Sequence, residues 1–252
     1  GVCGDPKLAL IAKEAGYDYF EWSVGNYLRP RENEAAFEAA LEQVRTAGLP
    51  CPAVNVFIPG DLKITGPDAN LEKLEAFAST ALLRAETAGV ETIVFGSGGA
   101  RHIPDGFNRE KAFEQLVTFG KMLGPMAAEH KVTIAVEPLN LAECNILNTV
   151  GETALLVREV DHPNLRLLVD GYHWAKDNDT LSSVLENASL IVHAHVATVK
   201  GRMPPNPADP CSPFFSALCQ AGYSGRVSIE GVIADPLEEL PQALEIMRRE
   251  ST

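Results

Sequence analysis

Two hydrophobic periods alternate along this chain. Short, nearly continuous apolar runs are followed by longer stretches in which apolar residues recur every three or four positions. The runs read as strands buried on both faces, and the longer stretches as helices with one apolar side. Pro6–Ala15 is a helix, with Asp5 as its N-cap and Gly16 as its stop. A strand over Tyr17–Trp22 and a polar loop through Tyr27 and Arg29 lead to a helix over Glu32–Ala47, ended by Gly48. Pro52–Phe57 is a strand, Pro59–Pro67 a loop, and Leu71–Ala88 a helix stopped by Gly89. The strand Glu91–Phe95 runs into Gly96-Ser97-Gly98-Gly99-Ala100-Arg101, and a long helix covers Arg109–Glu129. The second half repeats the order. Strands Val132–Val136, Leu165–Val169, Leu190–Val196 and Arg226–Ile229 are separated and followed by helices over Gly151–Val160, Thr180–Asn187, Phe214–Ala221 and Leu237–Arg249. A proline-rich loop, Gly201–Pro213, follows the third of these strands.

With Gly1–Cys3 counted as a short first strand, strand and helix alternate eight times in 252 residues. The chain starts without Met, so a piece upstream of Gly1 is expected. Regular alternation predicts a parallel sheet covered by helices, and eight units of this length predict a closed (β/α)8 TIM barrel. No linker or shift of composition interrupts it, so residues 1–252 read as a single barrel domain. An open doubly wound sheet is the competing arrangement. It lacks support here, because no G-x-G-x-x-G follows the first strand.

The strand endings carry the candidate chemistry. Val132–Val136 runs into Glu137, and Pro138, with no N–H to give a ladder, ends the pairing there. LRLLVD then ends at Asp170, LIVHAH at His195 and GRVSIE at Glu230. Barrel active sites lie at the carboxyl ends of the strands. Neighbouring strands are about 4.8 Å apart, so four successive ends can converge on one ion. Three carboxylates and one imidazole form a hard, anionic ligand set for one divalent metal ion, Mn²⁺ or Mg²⁺ first, with Co²⁺ or Zn²⁺ as further occupants. The net negative site suits a neutral sugar with oxygens to chelate.

Glu143 in EPLNLAE, His173 in DGYH and Arg202 in HVATVKGR each follow one of these ends and read as a substrate-binding shell. His193 points to the same side of its strand as His195 but one layer deeper, and reads as a packed, hydrogen-bonded histidine. The GSGGAR stretch lacks the Lys-Ser/Thr of a P-loop and opens no immediate helix. It reads as a tight turn giving substrate clearance, with Arg101 the one group that would add an anion-binding fork. Trp22, Tyr27 and Phe57 stand at or after early strand ends, either as an apolar lid over a sugar or as aromatic core.

Charge narrows the partners. With 34 acidic against 21 basic residues the net charge is −13, which repels phosphate backbones and anionic lipid. No nucleic acid and no membrane are therefore expected as partners. No apolar stretch reaches membrane-spanning length, and no signal peptide is visible. The five cysteines Cys3, Cys51, Cys144, Cys211 and Cys219 are odd in number and widely spaced. They fit free thiols in a cytoplasmic setting, with Cys144 a small buried hydrophobe. The expected partner is a small-molecule sugar or keto-sugar substrate, with room for a homo-oligomer.

VEPLN, LVDGYH, HAHVATVKGR and SIEG together resemble the xylose isomerase-like barrel superfamily of sugar isomerases and epimerases, closest to the D-tagatose 3-epimerase and hydroxypyruvate isomerase branch. The likeness runs over nearly the whole chain and is specific in its second half. It implies that Glu137, Asp170, His195 and Glu230 hold a divalent ion, often Mn²⁺, and that Glu137 and Glu230 are the acid/base pair. It also implies that Glu143, His173 and Arg202 hold the carbonyl end of the substrate. Thr198 departs from the pattern, since many relatives carry an acidic residue there.

Chelation of a ketose carbonyl and its adjacent hydroxyl acidifies the C–H bond between them by stabilising an enediolate. Two carboxylates on opposite sides can take and return that proton. Return from the opposite face is epimerisation, and return to the neighbouring carbon is aldose–ketose isomerisation. A metal-dependent sugar isomerase/epimerase is the leading expectation. The same barrel admits an endonuclease IV-like hydrolase of abasic DNA, against which the acidic balance and the six histidines count. It also admits a keto-inositol or keto-sugar dehydratase, and a non-catalytic metal- or sugar-binding module.

Overall fold

The computed structural model describes residues Gly1–Thr252. Eight parallel strands close into a barrel in chain order. They are β1 (Val2–Cys3), β2 (Phe20–Ser23), β3 (Ala53–Asn55), β4 (Thr92–Phe95), β5 (Thr133–Val136), β6 (Leu165–Asp170), β7 (Ile191–Val196) and β8 (Arg226–Ile229). Val2 of β1 pairs with both Phe20 of β2 and Ile229 of β8, so the sheet has no free edge. Strands too apolar to face water on either side are accommodated by closing on themselves and taking helices outside.

The helices start and stop where capping chemistry directs. Asp5, Asn33, Asn70, Asn108 and Thr149 each accept a backbone N–H of the first turn. Gly16, Gly48 and Gly89 end three helices in the left-handed conformation. Phe20, Phe37, Phe57, Phe95, Phe119 and Phe215 are fully buried in the main core, which joins helices to barrel. Each contributes roughly 1.5–3 kcal/mol by burial. A separate small cluster, Val94, Ala135 and Leu168, lies two residues below Gly96, Glu137 and Asp170 on their strands. Side chains two apart share a face, so this cluster floors the interior beneath the strand ends.

Several local expectations are corrected. β2 begins at Phe20 rather than Tyr17, whose hydroxyl instead donates to the Leu240 carbonyl at 2.9 Å. β3 is shorter than Pro52–Phe57, since Pro52 has no N–H and Val56 turns to φ +51. Short helices follow three strands: Val24–Tyr27, Gly98–Arg101 and Gly171–Lys176. The second of these overturns the expectation that GSGGAR opens no helix. Ser97, at φ +45, turns the chain off β4 directly into it. Tyr27 and Phe57 are buried, which makes them core rather than lid, and Trp22 stacks on Tyr27 at 5.9 Å.

Candidate metal and substrate site

The ends of β5 to β8 bring Glu137, Asp170, His195 and Glu230 together, with one ligand atom of each within 4.8 Å of all the others. Nδ1 of His195 is the hub. It lies 3.2 Å from Glu137 Oε1, 3.7 Å from Glu230 Oε2 and 3.9 Å from Asp170 Oδ2. Each carboxylate is aimed by its own local device. Asp170 Oδ1 caps the helix Gly171–Lys176, accepting from the N–H groups of Tyr172 at 2.6 Å and His173 at 3.0 Å. Its other oxygen, Oδ2, is buried and has no hydrogen-bond partner. A buried carboxylate oxygen without a donor is costly. This orphan faces the other ligand atoms, so the donor set and its one unmet demand both fit a divalent cation.

Glu137 is held through its backbone. Arg101, fully buried, donates from Nη2 to the Glu137 carbonyl at 2.7 Å and from Nη1 to the Phe95 carbonyl at 3.2 Å. Arg101 therefore ties the ends of β4 and β5 together and presents no fork to an anion, which corrects that expectation. Gly96 supplies the space for the carboxylate, since a Cβ there would overlap Glu137 Oε2. At β8 the same device recurs with backbone. A Cβ on Gly231 would overlap the Arg202 carbonyl, so only glycine lets the loop after β7 close over Glu230.

The charges respond to one another. Burial is the largest influence on Glu230, and with Glu137 and Asp170 beside it the carboxyl is pushed up to about 7. Burial also raises Asp170. Burial opposes a charged His195, but Glu21, Glu230 and Glu137 hold its imidazole well above the usual range.

Glu21 reaches the cluster from β2. It is fully buried beneath the cluster, 3.0 Å from His195 Nε2 and 2.9 Å from His193 Nε2. Burial works against its charge, yet His195 and His193 hold it well below the usual carboxylate range. The reading of His193 as a packed, hydrogen-bonded residue matches this contact. The Cys3 sulfur comes within 4.8 Å of the Glu21 and His195 ligand atoms. Burial, then Glu21, Glu230 and Glu137, push its thiol well up.

The three shell residues gather on one side of the four. His173 Nδ1 accepts from the Asn140 backbone N–H at 3.1 Å and faces the Asn140 amide nitrogen at 2.7 Å. That leaves Nε2 as the N–H donor, and it is buried with no partner of its own. Asn140, the last residue of VEPLN, also donates to Glu143 Oε1 at 2.9 Å. Arg202 reaches Glu230 Oε2 at 2.5 Å and Glu143 Oε1 at 3.4 Å, with its guanidinium 4.6 Å over the Tyr172 ring. Thr198 Oγ1 accepts from the Met203 N–H at 3.1 Å and donates to the Lys200 carbonyl at 2.9 Å, which shapes the loop bearing Arg202. Glu21 and Asn140 are the residues that strand endings alone did not single out.

Residues 9–250 match the profile of the xylose isomerase-like TIM barrel family. The chain belongs to this family. An L-ribulose 3-epimerase of Methylomonas sp. (strain DH-1) is 28% identical over 244 residues, covering 93% of this chain and 82% of that protein. A D-psicose 3-epimerase of Ruminiclostridium cellulolyticum is 25% identical over 175 residues, 66% of this chain and 58% of the relative, so that match spans little more than half its length. Among solved structures, a D-psicose 3-epimerase determined in the presence of D-fructose superposes with a TM-score of 0.83 at 19% identity, over 98% of this chain and 93% of that one. At this identity the superposition speaks for the fold. No helix here is long and apolar enough to cross a membrane.

Proposed function

We propose that this xylose isomerase-like barrel is a divalent-metal-dependent sugar epimerase/isomerase, acting beside the carbonyl of a ketose, with residues 1–252 as one catalytic domain. The arrangement of Glu137 and Glu230 carries this reading. They stand directly after β5 and β8, at the two ends of the ligand arc, with Asp170 and His195 between them. The names of the relatives, L-ribulose and D-psicose 3-epimerases, support a free ketose and the carbon next to its carbonyl. The hard oxygen-rich donors support Mn²⁺ over softer ions. The five free thiols support a reducing, cytoplasmic setting.

A divalent cation held by Glu137, Asp170, His195 and Glu230 would polarise the substrate carbonyl and acidify the neighbouring C–H. The rest falls to the chain's own groups. His173 Nε2–H, with no protein partner, donates to a substrate oxygen. Arg202 and Glu143 fix the same end of the sugar. One of the two glutamates takes the proton from one face of the carbon, and the other gives one back from the opposite face. Arg202, paired with Glu230, keeps that carboxylate turned toward the site.

The test is deuterium incorporation next to the carbonyl of L-ribulose and D-psicose by Mn²⁺-loaded protein in deuterated water. Exchange with inversion is expected in the wild type. Glu137→Gln and Glu230→Gln should each lower turnover by about 10² to 10⁴ while remaining folded. Near wild-type turnover in either variant overturns the two-glutamate chemistry, and no exchange with any ketose by loaded wild-type protein overturns the epimerase reading.

A further inference from the structure

Glu21 is a buried carboxylate that the proposed chemistry does not use. It sits on β2, opposite Cys3 in the ladder, and its side chain is wholly inside the barrel. Its Oε1 is 3.0 Å and its Oε2 3.2 Å from His195 Nε2. Oε2 also lies 2.9 Å from His193 Nε2 and accepts from the Ser228 hydroxyl at 2.9 Å. Ser228 is bonded in turn to the Tyr19 hydroxyl at 2.9 Å.

We infer that Glu21 is a positioning residue that sets the tautomer and ring plane of His195, so that Nδ1 presents a lone pair to the cation. This rests on the metal site proposed above. An ionised carboxylate can only accept hydrogen bonds. The nitrogen of His195 that faces Glu21 must therefore carry a hydrogen. A neutral imidazole has one N–H, so the hydrogen on Nε2 leaves Nδ1 with its lone pair. That lone pair points at three carboxylates, an arrangement that a metal ion reconciles. Metal-ligating histidines commonly give their second N–H to a carboxylate in this way, which orients the ring and raises its basicity.

Glu21 is itself locked. His193 and His195 approach it as two rings 5.2 Å apart and 80° to each other, and Ser228 holds the oxygen that His193 shares. Rotation of Glu21 away from His195 would break the bonds to His193 and Ser228 as well. The same geometry distinguishes two roles. A carboxylate that only satisfies the barrel interior would matter equally to both histidines. A positioning carboxylate matters to metal affinity through His195 alone.

Mn²⁺ titration followed by electron paramagnetic resonance, with melting temperature recorded in parallel, separates these roles in wild type, Glu21→Gln and His193→Gln. Glu21→Gln should weaken Mn²⁺ binding by about 10- to 100-fold. His193→Gln disturbs the same buried network from its other side. It should lower the melting temperature while changing Mn²⁺ affinity little. Nitrogen-15 NMR of Zn²⁺-loaded wild type gives a readout that needs no variant, with the His195 proton expected on Nε2. Unchanged affinity in folded Glu21→Gln, equal weakening by both substitutions, or a proton on Nδ1 of the loaded wild type would overturn the inference. Wild-type protein that binds no Mn²⁺ would instead remove the metal site, a failure visible before any variant is made.

Discussion

At the carboxyl ends of β5 to β8 stand Glu137, Asp170, His195 and Glu230. The last residues of β1 to β4 and the residue after β4 include Cys3, Ser23, Asn55 and Gly96. Both halves use the same strand and helix units, yet the first places neutral or small groups where the second places candidate metal ligands. Its charged residues work at one remove. Glu21 holds a ring nitrogen of His195, and Arg101 holds the carbonyl of Glu137. Gly96 contributes only room, because any side chain there would meet the Glu137 carboxylate. In the proposed chemistry one half supplies the reactive groups, while the other supplies their orientation.

If that division holds, a change that adds no charge and removes no ligand in the first half should still damage the chemistry. Gly96→Ala is the sharpest case. Its methyl group would displace Glu137 Oε2, and a misplacement of about 1 Å can cost about 10² in rate. We expect kcat to fall by about that factor, with the melting temperature close to wild type, as steady-state kinetics and calorimetry would register. Wild-type kcat in Gly96→Ala would break the comparison, because the first half would then not be setting the position of the Glu137 carboxylate.

How far the two halves were legible in the sequence follows the same line. The four candidate ligands stand out because each terminates an apolar run, and a polar side chain at a buried strand end is conspicuous. Glu21 was hidden by its neighbours. It lies inside the aromatic stretch Tyr17–Trp22, and its partners His193 and His195 are more than 170 positions away. It also lies two residues before the end of β2 at Ser23, so a rule that looks at strand ends passes over it. Arg101 reads in the sequence as an anion-binding fork because nothing local shows that a one-turn helix folds it under β4. Asp170 hid a second task. Its role as N-cap to Gly171–Lys176 is disguised by a glycine at the first helical position, and that cap is why only one of its oxygens is free.

A smaller effect tests the electrostatic side of the comparison. The Glu230 carboxyl, at about 7 in the folded metal-free chain, lies above its value of about 4.5 in an unfolded one. Protonated Glu230 therefore favours the folded state fully below about pH 4.5, and this contribution fades as pH rises through about 7. A cation that replaces the proton should reverse the trend. The gain in melting temperature on adding Mn²⁺ should widen from about pH 5 to about pH 8, and affinity should rise by up to about tenfold per pH unit for each proton displaced. A gain that stays flat or narrows over that range would mean that the second-half carboxylates do not meet the ion.

The central claim is that the four ends of β5 to β8 hold one divalent ion, and Asp170 gives the most direct access to it. Asp170→Asn can keep the cap to Tyr172 and His173 through its remaining carbonyl oxygen, so the fold and the helix Gly171–Lys176 should survive. It removes the negative charge and the unpartnered acceptor Oδ2. Mn²⁺ binding measured on desalted wild type and Asp170→Asn should show about one equivalent per chain in the first and most of it lost in the second. Full retention of Mn²⁺ by a folded Asp170→Asn protein would contradict the account.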